Sequence, residues 1–376
     1  MRRLSAILGA ILLLLAQSGC GLGRGIYSNY RAVEDLLLVQ TLGVDAGPVL
    51  SAATGRPQGG APTILRHAAA SIPQGMDALQ QRTPKGQLYF AHSRYFVLGE
   101  AFAAEGVGPV LDFVERDTLT RMGASLFVVR GGTAEALITG AGEDWDVGDV
   151  LATVRQETET HGDSHVFDVR ETAVALSEYG AALVCTLRLT DTGGSVFGLS
   201  EGVAAVPDGY GILRDGALVG FLDGGQARAA SLMRGVLGTV TQELPFGDGR
   251  VTVELRCAEP EIRLEGALLS VRAMPTAVLV GADTAASVTD PAALAALTAE
   301  IDRSLTDELT RLLARVQEEG SDFLSLGRAL RRQGIDPAAL PTDWLTSCEY
   351  RATVETVLRH SYDMGERAGT DGGGAA

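Results

Sequence analysis

The residues that most closely match a known catalytic motif are Gly198-Leu199-Ser200-Glu201-Gly202, which follow the G-x-S-x-G pattern of a hydrolase nucleophile elbow. That chemistry needs a strand before the serine, a helix after it, and an acid and a histidine later in the chain. Here residues 202–206 have the pattern of a strand that Pro207 closes, and His360 is the one histidine after Ser200. The context disfavours a serine hydrolase, and we predict that the chain is not an enzyme.

Two polar clusters contain residue types that bind metals. His161 and His165 are four residues apart with Asp163 between them, but Gly162 and the polar surroundings indicate a solvated loop, and no third ligand stands out. The second cluster surrounds Trp145 and consists of Asp144, Asp146 and Asp149. It lacks the glycine turn and the terminal glutamate of a calcium loop, so we interpret it as a solvated acidic loop. We therefore predict neither a metal site nor a cofactor site.

Three cysteines fall in strand-like segments. Cys185 and Cys257 lie on apolar strand faces, and Cys348 shares a strand face with Tyr350. We expect all three to pack as small apolar side chains. A disulfide between Cys185 and Cys257 stays open for a protein outside the cytoplasm, although spacing alone does not support it.

Cys20 is the one residue to which we assign a specific chemical role. Arg2 and Arg3 precede an apolar run over residues 4–16. As a helix this run would be about 20 Å long, short of the roughly 30 Å hydrocarbon core of a bilayer, and it has the layout of a secretory signal. Gln17-Ser18-Gly19-Cys20 then resembles a bacterial lipobox, although a leucine is usual at the position of Gln17. We predict that Cys20 carries a lipid and becomes the first mature residue.

The elements that would position these residues are short strands and helices in mixed order. We predict strands over 36–45, 88–98, 124–130, 183–189, 203–206, 217–221, 251–257, 262–274, 276–280 and 350–358. We predict helices over 71–81, 100–116 with a break near Gly108, 147–159, 227–237 and 322–332, besides one long helix after Asp290. Residues 49–62 have the composition of a loop, and Pro207-Asp208-Gly209 that of a turn.

The long helix after Asp290 has the clearest pattern in the chain. Asp290 is a suitable N-cap, Pro291 fits the first turn, and Gly320 ends the helix. Its apolar residues recur at steps of three and four: Leu294, Leu297, Ile301, Leu305, Leu309, Leu312 and Val316. This stripe predicts a helix packed on the protein's own core.

Composition sets the broad class. The chain has 376 residues, 46% of them hydrophobic, and a formal charge of −16, which argues against a general nucleic-acid binder. Four cysteines at this length exclude a disulfide scaffold. We predict an α+β fold with mixed and antiparallel sheets, open on one face and flanked by helices, in two to three domains. The expected divisions are a signal peptide (1–19), a lipidated tether (20–30), an N-terminal region (31–192), a C-terminal region (193–366) and a disordered tail (367–376).

Four blocks of sequence, in order along the chain, resemble one known family. The first two are Val33-Glu34-Asp35-Leu36 with Leu42-Gly43-Val44-Asp45, and the segment 92–100 with Glu105-Gly106 and 111–117. The last two are Glu201-Gly202-Val203-Ala204 with 218–223 and 234–237, and the segment 321–330 with Asp343-Trp344 and the final strand. Together with the lipobox, they resemble the Ger(x)C family of spore germination lipoproteins, the C subunits of nutrient germinant receptors.

The resemblance implies a lipoprotein on the outer face of the spore inner membrane that works with two integral-membrane partners, the A and B subunits. Receptors of this kind sense small nutrients and start germination, and their C subunits are not known as enzymes. From the family we carry over only Cys20, as the lipidation site. The alternative hypothesis is an extracytoplasmic solute-binding lipoprotein of a transporter, which would show two similar α/β lobes around a cleft.

Overall fold

The computed structural model describes residues 35–56, 60–83, 86–118, 120–140, 146–191, 203–257, 259–284 and 290–359. Within these residues the strands form one large sheet and two small ones, of nine, four and three strands. None of the described helices is both long enough and apolar enough to cross a membrane.

The large sheet combines parallel and antiparallel pairs. Its described strands are β1 (Leu36–Asp45), β2 (Val49–Thr54), β3 (Ile64–Ala68), β4 (Gln87–Tyr89), β5 (Tyr95–Gly99), β6 (Ser125–Arg130), β7 (Ala181–Asp191), β8 (Val203–Arg214) and β9 (Ala217–Leu222). The order is β3-β2-β1-β5-β6-β7-β8-β9, and β4 pairs with the start of β1. The pairs from β1 through β7 in this order are parallel, whereas both edges are antiparallel hairpins.

Helices cover both faces of the large sheet. They are α1 (Ile72–Arg82), α2 (Glu100–Glu105), α3 (Gly108–Arg116), α4 (Ala134–Gly140), α5 (Val147–His161) and α6 (Val169–Tyr179). Successive residues of β5 point to opposite faces: Phe96 packs in the core with α1, α2, α3 and α6, and Val97 packs in the core with α4 and α5. Because both faces are buried, β5 and β6 are continuous apolar runs.

The C-terminal part builds two small sheets around one long helix. Its helices are α7 (Gly225–Met233), α8 (Pro291–Glu319), α9 (Leu326–Arg332) and the one-turn α10 (Trp344–Ser347). One sheet has the order β10 (Val240–Phe246), β11 (Gly249–Cys257), β14 (Pro275–Asp283), β16 (Val357–Arg359), and the other has β12 (Glu261–Glu265), β13 (Leu268–Ala273), β15 (Glu349–Val354). The stripe of α8 faces the core that these elements share.

The predicted α+β class is confirmed, and so are several elements. The first predicted strand coincides with β1, Ser71 accepts a hydrogen bond from the N–H of Gln74 at the start of α1, and Asp290 caps α8 as expected. Gly320 ends α8 in the left-handed conformation. The expectation that sheets lie open on one face holds for β11, whose residues alternate between buried and half-buried, and is wrong for the large sheet.

Several local predictions are wrong. The segment 49–62, predicted to be a loop, begins with strand β2. The small residues of β2 do not alternate between apolar and polar types, and they are buried on both faces of the sheet. The single strand predicted over 88–98 is divided into two by a 3₁₀ turn at Phe90–His92. The single strand predicted over 262–274 is likewise two strands, β12 and β13, joined by a turn at Gly266. Pro207-Asp208-Gly209, predicted to be a turn, lie within strand β8. The hairpin of β8 and β9 turns instead at Asp215-Gly216.

Candidate functional site

The sequence motifs that point to chemistry lie partly outside the described residues. This holds for Cys20, Ser200, His360 and the lipobox residues, so lipidation of Cys20 stays a prediction. The chain after Ser200 enters β8 at Val203, not a helix, which agrees with the strand predicted there. Among the described side chains, no group of three or more His, Cys, Asp or Glu residues is arranged to hold a metal ion.

The two histidines occupy different environments. His161 ends α5 and is exposed, with its Nδ1 3.3 Å from Oε2 of Glu157. His165 is half-buried and packs edge-on against the ring of Phe167, with 5.0 Å between ring centroids. Burial lowers the pKa of His165 below its usual value. The prediction of solvated surface is therefore wrong for His165, because the preceding segment folds back onto the C-terminal part.

Asp146 is a buried helix cap and not a solvated loop residue. Its carboxylate accepts a hydrogen bond from the N–H of Asp149 at 2.8 Å, in the first turn of α5, and another from the N–H of Arg56 at 3.2 Å. Asp149 itself is exposed, and Asp144 and Trp145 lie outside the described residues. The acidic-loop interpretation is wrong for Asp146, because its buried side chain caps the first turn of α5 and also holds the backbone at Arg56.

The described cysteines are structural. Cys185 and Cys348 are buried free thiols, as predicted, and burial raises the pKa of the Cys185 thiol to about 12. A thiol held in its neutral form is a poor nucleophile and a poor metal ligand. Cys257 lies at the end of β11, and its side chain is outside the description.

A buried cluster of polar groups joins the large sheet to the C-terminal core. Ser231 of α7 donates its hydroxyl hydrogen to the carbonyl oxygen of Asp163 at 2.6 Å. Because a carbonyl only accepts, the hydroxyl of Tyr210 must donate to Ser231 Oγ, 2.6 Å away. Tyr210 Oη in turn accepts from the N–H of His165 at 2.7 Å. Each hydroxyl thus has one donor and one acceptor, and burial raises the pKa of Tyr210.

An ion pair lies next to this chain of hydrogen bonds. Arg228 of α7 and Glu308 of α8 have side chains only 11% and 8% exposed, and Arg228 Nε donates to Glu308 Oε2 at 3.1 Å. The second guanidinium nitrogen contacts the other carboxylate oxygen, so the pair is bidentate. Asp163 lies beside it, and burial raises the pKa of its carboxyl while Arg228 opposes that shift.

We call the residues Asp163, His165, Tyr210, Arg228, Ser231 and Glu308 the polar joint. Sequence inspection missed most of it. One signal was available: Glu308 stands in the apolar stripe of α8 between Leu305 and Leu309, where a charged residue requires a buried partner. The joint contains no nucleophile activated by a base, and Tyr210, Ser231, Arg228 and Glu308 bond within it, whereas Oδ1 of Asp163 has no hydrogen-bond partner among the described residues. Its geometry therefore fits a rigid connection between two parts of the molecule.

Comparison with known proteins defines the class of the molecule. The family model described as the spore germination protein N-terminal domain matches residues 29–189, and the one described as spore germination B3/GerAC like, C-terminal, matches residues 208–362. Both halves of a spore germination protein therefore follow one another along this chain. The chain belongs to the GerAC-like, or Ger(x)C, family of spore germination proteins.

A solved structure shows the same fold. The crystal structure of the GerBC protein matches with a TM-score of 0.55 at 15% sequence identity, over 83% of this chain and 93% of that chain. No curated protein sequence matches this chain significantly. The resemblance stated from the four sequence blocks is confirmed.

Proposed function

We propose that this chain is the C subunit of a nutrient germinant receptor, anchored by a lipid on Cys20 at the outer face of the spore inner membrane. The observation that carries the proposal is the order of the two germination regions, 29–189 and 208–362, on one chain, and the signal sequence predicted before them is consistent with it. The net charge of −16 favours attachment by lipid over attraction to an anionic membrane.

We infer a role in receptor assembly or signalling and not in catalysis. Most of the buried polar groups between the two regions are engaged with one another, as in the bidentate pair of Arg228 and Glu308. Such a joint keeps two binding surfaces in a constant relative position, which suits a subunit that contacts the integral-membrane A and B subunits. The large sheet and the two small sheets are also unlike the paired lobes that a solute-binding lipoprotein would have.

Release of dipicolinic acid from spores exposed to a panel of nutrients tests the proposal. We compare the parent strain with a deletion strain and with Cys20→Ala, and follow the protein in membrane and soluble fractions. Deletion should abolish the response to at least one nutrient. Cys20→Ala should move the protein out of the membrane fraction and abolish the same response.

Ser28→Ala is the matched control, because it changes a small residue in the expected tether without touching the lipidated thiol. It should leave fractionation and nutrient responses unchanged. Normal responses in the deletion strain, in spores that lack sister receptors, would refute the receptor role. In that case nutrient binding by the purified chain alone would favour a solute-binding lipoprotein.

A further inference from the structure

A narrow cleft of about 210 Å³ is lined in part by Phe167, whose ring packs against His165 and Tyr210 of the polar joint. We call it the arginine cleft. Three arginines line it, Arg234 after α7 and Arg328 and Arg332 on α9, together with Glu171 of α6 and Glu259 before β12. Its remaining wall is mostly apolar and includes Phe167, Met233, Ile262 and Leu324. The cleft therefore contacts both regions of the chain and carries more positive than negative groups, in a protein that is acidic as a whole.

Arg234 is a mostly buried cation with little compensation. Its guanidinium packs 5.0 Å from the ring centroid of Phe167, and its one hydrogen bond within the described chain goes to the carbonyl oxygen of Leu324, at 3.3 Å. A guanidinium has five N–H donors, and a buried charge is stable only when it is paired or hydrogen-bonded. Burial and the nearby charge of Arg328 lower the pKa of Arg234.

The acids near Arg234 are committed elsewhere. Glu259 pairs with Arg332, and Glu171 accepts a hydrogen bond from the N–H of Asp168 at 3.1 Å in the capping box of α6. Asp322 accepts from the N–H groups of Leu326 and Gly327. None of these three carboxylates forms an ion pair with Arg234 or Arg328 within the described residues, so neither guanidinium has a paired carboxylate in the cleft.

Two further groups in the cleft have unused hydrogen-bonding capacity. Ser325 has a buried hydroxyl without a hydrogen-bond partner among the described residues, and its φ of 56° is unusual for a residue other than glycine. Arg328 is exposed at the rim, and its guanidinium pairs with none of the described acids. A hydroxyl and a guanidinium fork together match the oxygens of a carboxylate.

We propose that the arginine cleft binds a small organic carboxylate, with Arg234 at its base, Arg328 at its rim and the apolar wall against the organic part of the ligand. The volume is sufficient, since a protein cavity of about 150 Å³ holds benzene. The apolar wall favours an organic anion over inorganic phosphate. A ligand there would touch both regions of the chain and so would strengthen their connection. This inference does not depend on the lipid anchor or on partner subunits.

Isothermal titration calorimetry of the full-length chain in detergent tests the proposal, with benzoate as the probe. Benzoate should bind, while benzamide, its neutral analogue, and inorganic phosphate should bind more weakly. Arg328→Gln should weaken benzoate binding roughly tenfold to a hundredfold, the usual effect of losing one charge-assisted contact. Ser325→Ala should weaken it less.

Arg331→Gln is the matched control, because Arg331 is next to Arg332 on the same helix and yet its guanidinium pairs with Glu178 and packs on Tyr179, outside the cleft. It should leave benzoate affinity unchanged. Circular dichroism and thermal unfolding verify that each variant is folded. Absence of benzoate binding, equal binding of benzamide or phosphate, or equal losses in the Arg328 and Arg331 variants would overturn the proposal.

Discussion

The carboxylate of Asp322 lies in the C-terminal core, where it accepts hydrogen bonds from the N–H groups of Leu326 at 2.6 Å and Gly327 at 2.9 Å. Burial outweighs these bonds and raises its pKa from 3.8 to about 7. The folded protein therefore keeps a proton on Asp322 at pH values where the unfolded chain has lost it. The stabilisation from this proton is complete below the unfolded pKa and is lost as the pH rises through 7.

We predict that Asp322→Asn reduces the dependence of stability on pH. In the parent, the contribution of this residue to the free energy of unfolding should fall between about pH 4 and pH 7 and be constant above. Urea unfolding across this range measures the change. Burial also raises the pKa values of Asp45 and Asp163, but both residues contribute equally to the pH dependence of stability in the parent and in the variant. The difference between the two profiles therefore reports on Asp322 alone.

Asp112→Asn is the control for this measurement. Asp112 is 59% exposed and pairs with Arg116 one turn along α3, so its substitution should leave the pH dependence unchanged. Parallel pH profiles for the parent and Asp322→Asn would show that Asp322 is ionised in the folded protein across this range.

At the scale of single elements, β8 shows how a strand passes through residues that usually form a turn. Pro207 pairs with Leu187 at an irregularity in the register between β7 and β8, where a residue without an N–H group is tolerated. Gly209 follows with a φ of +76°, and a Cβ there would lie 2.0 Å from the carbonyl oxygen of Leu222. The strand therefore depends on glycine at this position for two reasons, its backbone conformation and its close contact with the end of β9.

We predict that Gly209→Ala destabilises the protein by about 2 kcal/mol or more, since backbone strain alone costs about 1–3 kcal/mol and the clash adds to it. Gly216→Ala is the matched control: its φ of +82° imposes similar strain, but a Cβ there meets nothing within 4 Å. It should cost less than Gly209→Ala. Urea unfolding gives both values, and equal costs would show that the contact with Leu222 adapts.

On the scale of the whole molecule, the large sheet extends past the predicted boundary at residue 193. β8 and β9 follow that boundary, β8 pairs with β7 and β9 pairs with β8, while α7 begins only three residues after β9 ends. The division into 31–192 and 193–366 stays a prediction, and we propose that the N-terminal folding unit ends near residue 224.

Two fragments test this proposal. A fragment of residues 31–192 leaves β7 paired with β6 only, as an edge strand, and removes Leu213 and Leu218 from the core that they share with Val184. It should aggregate or unfold without a cooperative transition. A fragment of residues 31–224 restores β8 and β9 and should unfold more cooperatively, as followed by circular dichroism. Cooperative unfolding of the shorter fragment would place the boundary at residue 193.

The sequence alone determined the features that depend on local order along the chain. The stripe of α8 and its caps at Asp290 and Gly320, the alternation of β11, and the order of the four family blocks are of this kind. The prediction of lipidation at Cys20 also rests on its immediate neighbours. The periodicity of a helix, or its cap, involves residues within a few positions of one another, so the amino-acid sequence is enough to identify it.

Tertiary structure alone decided which polar residues are buried and what they contact. Asp146 and Asp322 look like surface acids in the sequence, and Arg228 and Glu308 are 80 residues apart in the chain. The loss of solvent at such groups depends on segments that are distant in sequence, which no local pattern records. For the same reason the continuation of β8 through Pro207 became visible only with its pairing to β7.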